Sequence, residues 1–210
     1  EYRNTKLAVI EAKALGSPPV VGRHDFTASL HADSLLAIDG ATGEVIVGSN
    51  ASDRADFTAR EGRFAAQEEK NLRAVTLPSQ TLDGVHIALR ANLELEEEIL
   101  PARQHGAEGV GLYRSEFLFL KHSPDIPSEA DHFSVYDRFA AAFLPQPVTI
   151  RTLDLGGEKY FHSVLDHHQR NPVLGLRAIR LCLKRPDIFR AQLLGILRAS
   201  RRGNVRLMFP

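Results

Sequence analysis

The stretch GAEGVGLYRSEFLFL, residues 106–120, decides the fold. Its centre, Gly109-Val110-Gly111-Leu112-Tyr113, is a short apolar β-type run, and Arg114-Ser115-Glu116 leads straight from it into a helical run. A strand that passes directly into a helix is the repeating unit of a parallel α/β sheet, because parallel neighbours need a crossover between them. The same unit returns where Val148-Thr149-Ile150 runs into Arg151-Thr152-Leu153-Asp154-Leu155-Gly156-Gly157. Working outward, strands are expected at 85–91, 109–113, 147–151 and 204–209. Helices are expected at 95–104, 115–120, 129–143, 173–184 and 187–200. Ser128 with Asp131 heads one of them as a capping box. Four strands joined by helices amount to half of an eight-stranded βα barrel, a fold of about 250 residues.

Upstream the pattern differs. Residues 5–15 carry apolar side chains at helical spacing and end at Gly16 and Pro18-Pro19. Short β-type runs follow at Val20-Val21, Leu35–Ile38 and Val45–Val47, with the turn Asp39-Gly40-Ala41-Thr42-Gly43 making a hairpin of the last two. From Ser52 to Val75 the chain is charge-rich with a sparse apolar stripe (Phe57, Phe64, Leu72), the pattern of an exposed linker helix, stopped by Pro78-Ser79-Gln80. The expected organisation is therefore α/β throughout: a small β/α unit over 1–50, a linker helix over 51–80 and a half-barrel over 81–210.

Twenty-six basic side chains balance 26 acidic ones, which removes the electrostatic case for a general nucleic-acid or anionic-membrane binder. A chain 43 % hydrophobic and 25 % charged is an ordinary globular composition. No apolar run approaches the roughly 20 residues of a membrane span, and the start lacks the pattern of a secretion signal. With the single Cys182 excluding an internal disulfide framework, the expected address is the cytoplasm. The only methionine is Met208, and the chain stops just after a strand, so both ends read as cuts.

Arg114 and Arg151 each stand at the carboxyl end of an expected parallel strand, the rim where barrel active sites are built. Guanidinium is planar, permanently charged and forked, which suits phosphate or carboxylate. Two of them on one rim suggest a small, multiply anionic substrate, and Gly156-Gly157 offers backbone N–H groups at close range. The alternative is that each arginine merely pairs with a neighbour such as Glu116 or Asp154. Arg177, at the opening of a helix, is within reach of the same rim or is a solvated helix-face arginine. His167-His168 lack the accompanying carboxylates of a metal site, and Cys182 on an apolar helix face reads as core.

These motifs carry a resemblance. GAEGVGLYRSEFLFL, RTLDLGGEK (151–159), NPVLGLRAIRLCLKRPDIFRAQLLGILRAS (171–200) and GNVRLMFP (203–210) resemble, in order, the Enzyme I family of phosphoenolpyruvate–protein phosphotransferases. LPSQTLDGVHIALRANL (77–93) is similar to the start of that family's barrel. KALGSPPVVG (13–22) and the run at 38–48 resemble the tail of its phosphohistidine swivel domain. The resemblance implies a phosphoenolpyruvate-binding (βα)8 barrel preceded by a swivel domain. It implies that Arg114 and Arg151 hold the phosphate and carboxylate of the substrate with Arg177 assisting, that Mg2+ serves the reaction, that HPr receives the phosphoryl group and that the protein is a homodimer. Phosphoenolpyruvate synthase and pyruvate phosphate dikinase share the architecture, and a non-catalytic paralogue that binds phosphoenolpyruvate or a partner is a further reading.

Two departures follow from it. At the position of the family's phosphohistidine stands Leu7, with Lys6 where serine belongs and Tyr2 and Arg3 where glycines belong. Leucine has no nucleophilic atom, so no phosphoryl group is accepted there. The family's acidic metal ligands and its proton-donating cysteine fall on later strands than those of this chain, and its HPr-docking module falls before Glu1.

Overall fold

The computed structural model describes residues 9, 12, 17–22, 30, 31, 34–123, 125–155 and 175–210. The chain divides into two compact units, Glu1–Thr76 and Leu77–Pro210. The expected helix over 5–15 falls almost wholly outside the described residues, as do Leu7, the Gly156-Gly157 pair and His167-His168. Val20 and Val21 are described and form no strand.

In the first unit, β1 (Leu36–Asp39) and β2 (Glu44–Val47) form the expected antiparallel hairpin. Asp39 closes its turn by accepting from the N–H groups of Ala41 (2.9 Å) and Thr42 (3.1 Å). Helix α1 (Ala51–Ala74) starts at an Asn50/Asp53 capping box and buries none of its residues. Its Arg60 reaches Glu44 at 2.5 Å and Asp39 at 3.3 Å, tying the helix to the hairpin.

The second unit is a mixed α/β body around one parallel sheet of order β3-β4-β5-β6. The strands are β3 (Ala91–Leu93), β4 (Val110–Arg114), β5 (Val148–Arg151) and β6 (Val205–Met208). Between them lie α2 (Ile99–Gln104), α3 (Glu116–His122), α4 (Glu129–Phe143), α5 (Ala178–Lys184) and α6 (Pro186–Ala199). No described helix is long and apolar enough to cross a membrane.

One expected strand is displaced. The alternation of VHIALRA reads as strand 85–91, yet β3 begins only at Ala91. The preceding segment folds on itself instead: Thr81 N–H donates to Val85 O at 2.9 Å and Ile87 N–H to Ser79 O at 2.8 Å. Val85, Ile87 and Leu89 are consequently about half exposed rather than packed against the sheet. The rim residue of this strand is thereby moved to Glu94.

The main core lies between the sheet and helices α4 and α6, where Val110, Tyr113, Tyr136, Phe139, Val148, Ile150 and Ile196 are all buried. A smaller cluster of Phe119, Leu153, Leu181, Cys182 and Ile188 lies beneath the carboxyl ends of the strands. Cys182 is thus core, and burial pushes its thiol up to about 11. Gly109 enters β4 at φ +112°, a conformation that L side chains rarely adopt, and a Cβ there would stand 2.4 Å from Pro147 O. Gly195 allows α6 to approach α4: a Cβ there would stand 2.5 Å from His132 Cβ and 3.0 Å from Phe133 N.

Gly195→Ala therefore forces the two helices apart, and such overpacking costs roughly 1–3 kcal/mol or more. Urea unfolding should show a lower midpoint at unchanged slope; an unchanged midpoint would mean that α4 and α6 are not in this contact.

Candidate functional site

Strand register builds the site. Arg114 is the last residue of β4 and Arg151 the last of β5, and the two are register partners. Neighbours in register on parallel strands project to the same face, so two guanidinium groups emerge together at the carboxyl edge of the sheet. Arg177, immediately before α5, completes the group through Asp154, to which it donates from Nη2 at 2.9 Å and from Nε at 3.3 Å. The next residue, Ala178, has φ +52°, and left-handed backbone at a non-glycine residue is a strain that collects at functional sites.

Three carboxylates face the three arginines. Arg114 pairs with Glu94, just past the end of β3. Arg151 donates to Glu116 at 2.7 Å and lies 3.1 Å from Asp154. Glu116 also accepts from the Asp154 N–H at 3.1 Å. The pairing foreseen with Glu116 and Asp154 therefore exists at Arg151, and Asp154 joins Arg151 to Arg177, whereas Arg114 takes Glu94 instead. Glu94 is the partner that the sequence reading missed, because a strand ended at Ala91 hides a rim position at 94.

The constellation is not closed on itself. Among the described residues, the buried Arg151 Nε and Glu116 Oε2 have no hydrogen-bond partner. Buried polar atoms of a native site are normally paired, so an orphaned guanidinium donor beside two more guanidinium groups is unused capacity for an anion. The Mg2+ implied by the resemblance has no matching ligand set: among the described residues no three His, Cys, Asp or Glu side chains converge on a point. The rim carboxylates Glu94, Glu116 and Asp154 are each engaged by an arginine.

Beneath the rim runs a buried polar network. Gln192 of α6 donates from Nε2 to Ser115 Oγ (3.0 Å) and to the Tyr136 hydroxyl (3.1 Å), and its Oε1 accepts from Leu153 N–H (3.0 Å). Ser115 Oγ in turn donates to Arg151 O at 2.9 Å. The Tyr136 hydroxyl and His132 Nδ1 share a hydrogen bond of 2.9 Å. Burial pushes His132 down to about 4, with nearby His122 adding to the depression and Asp131 opposing it.

Comparison with known proteins follows the geometry. Residues 68–210 match the family described as PEP-utilising enzyme, PEP-binding domain, and the chain belongs to that family. A phosphoenolpyruvate-protein phosphotransferase of Geobacillus stearothermophilus is 38 % identical over 206 residues, covering 98 % of this chain and 36 % of the relative. Proteins of the same name from Latilactobacillus sakei and Bacillus subtilis are 36 % and 35 % identical over the same span. The chain spans 36 % of the length of these curated relatives. The resemblance carried by the motifs is borne out at the level of family.

His132 gives the site a pH test. In the unfolded chain it binds a proton below its ordinary value of 6.5, whereas in the folded chain it does so only near 4. Between those values the unfolded state holds the extra proton, so stability falls as pH falls, by about 3 kcal/mol in total. Denaturation curves from pH 7 to 4 should lose a step of this size in His132→Gln; an identical slope in both proteins would contradict a buried neutral imidazole.

Proposed function

We propose that the chain is the phosphoenolpyruvate-binding part of an Enzyme I-type phosphotransferase, and that Arg114, Arg151 and Arg177 are its substrate clamp. The observation that carries this reading is the in-register pair Arg114 and Arg151 at the carboxyl edge of a parallel sheet, in a chain of the PEP-binding family. Phosphoenolpyruvate presents a phosphate and a carboxylate on a three-carbon frame, two anions for which adjacent guanidinium forks are matched receptors. On binding, the substrate replaces Asp154 on Arg151 and Glu94 on Arg114. Exchange of one oxyanion for another keeps every guanidinium neutralised and makes the resting pairs place-holders for the ligand. The parallel sheet is, in this reading, the first half of a (βα)8 barrel over 81–210, preceded by part of a swivel domain over 1–50 and a linker helix over 51–80. HPr as acceptor, Mg2+ and a homodimer belong to the same reading through the resemblance alone.

Replacing Arg151 or Arg114 by Lys keeps the charge and removes the fork. With charge-assisted hydrogen bonds worth about 1.5–3 kcal/mol each, calorimetry should record a loss of at least roughly tenfold in phosphoenolpyruvate affinity for either variant. Equal affinity in both variants and the parent would return the arginines to a purely structural role.

The position matched to the phosphohistidine separates binding from turnover. Because Leu7 offers no nucleophile, the reading favours a chain that binds phosphoenolpyruvate without accepting its phosphoryl group. Incubation with 32P-phosphoenolpyruvate and magnesium should leave the chain unlabelled. An acid-labile, base-stable label would contradict the assignment of Leu7.

A further inference from the structure

Gln192 is an anomaly in its helix. The buried stripe of α6 consists of Ile188, Gln192, Gly195, Ile196 and Ala199, and for packing alone an apolar side chain would serve at 192. The amide is fully buried, and both of its donor hydrogens and its oxygen are engaged. A buried amide is tolerated only when its partners are in place, so the network specifies one arrangement of the groups it joins.

Those groups are not scattered. Leu153 N–H lies two residues after Arg151, Ser115 directly follows Arg114, and Ser115 Oγ holds the carbonyl of Arg151 itself. Thr152 N–H donates to Met208 O at 3.0 Å, so the backbone over 151–153 is fixed from both sides, by Gln192 and by β6. We propose that Gln192 is a positioning residue for the anion site: it sets the backbone from the Arg151 carbonyl to Leu153, and thereby aims the guanidinium at the substrate beside Arg114. The proposal rests on the reading of Arg151 as a phosphoenolpyruvate ligand. Without Gln192, Leu153 N–H, Ser115 Oγ and the Tyr136 hydroxyl lose a partner together, the carboxyl end of β5 loosens, and the fork swings off target. Errors of aim are expensive, since each charge-assisted hydrogen bond lost from the fork removes about 1.5–3 kcal/mol of binding, roughly tenfold or more in affinity.

The test uses the full chain with Gln192→Met, which keeps the side chain's length and removes its hydrogen bonds. Two quantities are read: phosphoenolpyruvate affinity by calorimetry, and the rigidity of the Arg151 Nε–H group by its 15N heteronuclear NOE. The expected result is affinity at least roughly tenfold weaker together with a loss of Arg151 rigidity. In an Arg151→Lys background the same substitution should produce little further loss, because its effect passes through the fork. A residue with only a structural role lowers stability but leaves the affinity of the folded protein and the Arg151 signal unchanged, and that result overturns the proposal. So does a full tenfold loss on top of Arg151→Lys. If the parent chain itself does not bind phosphoenolpyruvate, the functional reading falls, and the Arg151 NOE alone decides the positioning: retained rigidity in Gln192→Met overturns it, and lost rigidity upholds it. Should Gln192→Met not fold, Ser115→Ala severs the link from Gln192 to the Arg151 carbonyl while leaving the Gln192–Leu153 bond in place, and is read by the same two criteria.

Discussion

Everything at the carboxyl edge of the sheet follows from the hydrogen-bond register of β4 and β5, which sets two permanently charged side chains on neighbouring strands. Strands in a sheet lie about 4.8 Å apart, and two like charges at such a spacing repel by about 3 kcal/mol at an effective dielectric constant near 20. Neither arginine can discharge itself, so the surrounding elements must supply anions. Glu94 comes from the end of β3, Glu116 from the first turn of α3 and Asp154 from the loop after β5. Each strand end thus contributes one charge to a shared constellation. A fold that needs only a core has no evident use for such an arrangement, and it is the feature on which the proposed anion site rests.

The support beneath this constellation is polar for the same reason. An apolar layer fills space but leaves a strand end free to slide, whereas hydrogen bonds with all donors and acceptors committed have one solution. Gln192 and Ser115 connect the two arginine-bearing strand ends to α6, and Tyr136 and His132 extend the connection into α4. The close helix approach at Gly195, beside His132, is what brings α6 near enough for the amide of Gln192 to reach the strands.

Much of this was legible in the residues. Strands β4 and β5 announce themselves as short apolar runs followed at once by arginine, which is why Arg114 and Arg151 were identified as rim residues. Helix α4 ends where its periodicity and its Ser128/Asp131 box put it, at 129–143. Less was legible where tertiary pairing overrides local pattern. VHIALRA alternates as a strand should, but its backbone groups are taken by Ser79 and Thr81, and the displacement of the strand from 85–91 to Ala91–Leu93 concealed Glu94. Gln192 was invisible for another reason: one polar residue on an apolar helix stripe carries no sign of whether it faces solvent or joins a network. Leu7 could be placed only through the family motif, and it lies outside the described residues.

The central claim is that the two in-register arginines are the receptor for phosphoenolpyruvate, held in reserve by carboxylates until the ligand arrives. A crystal structure of the chain soaked with phosphoenolpyruvate tests it most directly. The account predicts ligand density at the carboxyl ends of β4 and β5, with its phosphate or carboxylate oxygens on both Arg114 and Arg151 and with Glu94 and Asp154 released. Ligand bound elsewhere, or a rim whose ion pairs remain intact with ligand present, would contradict it.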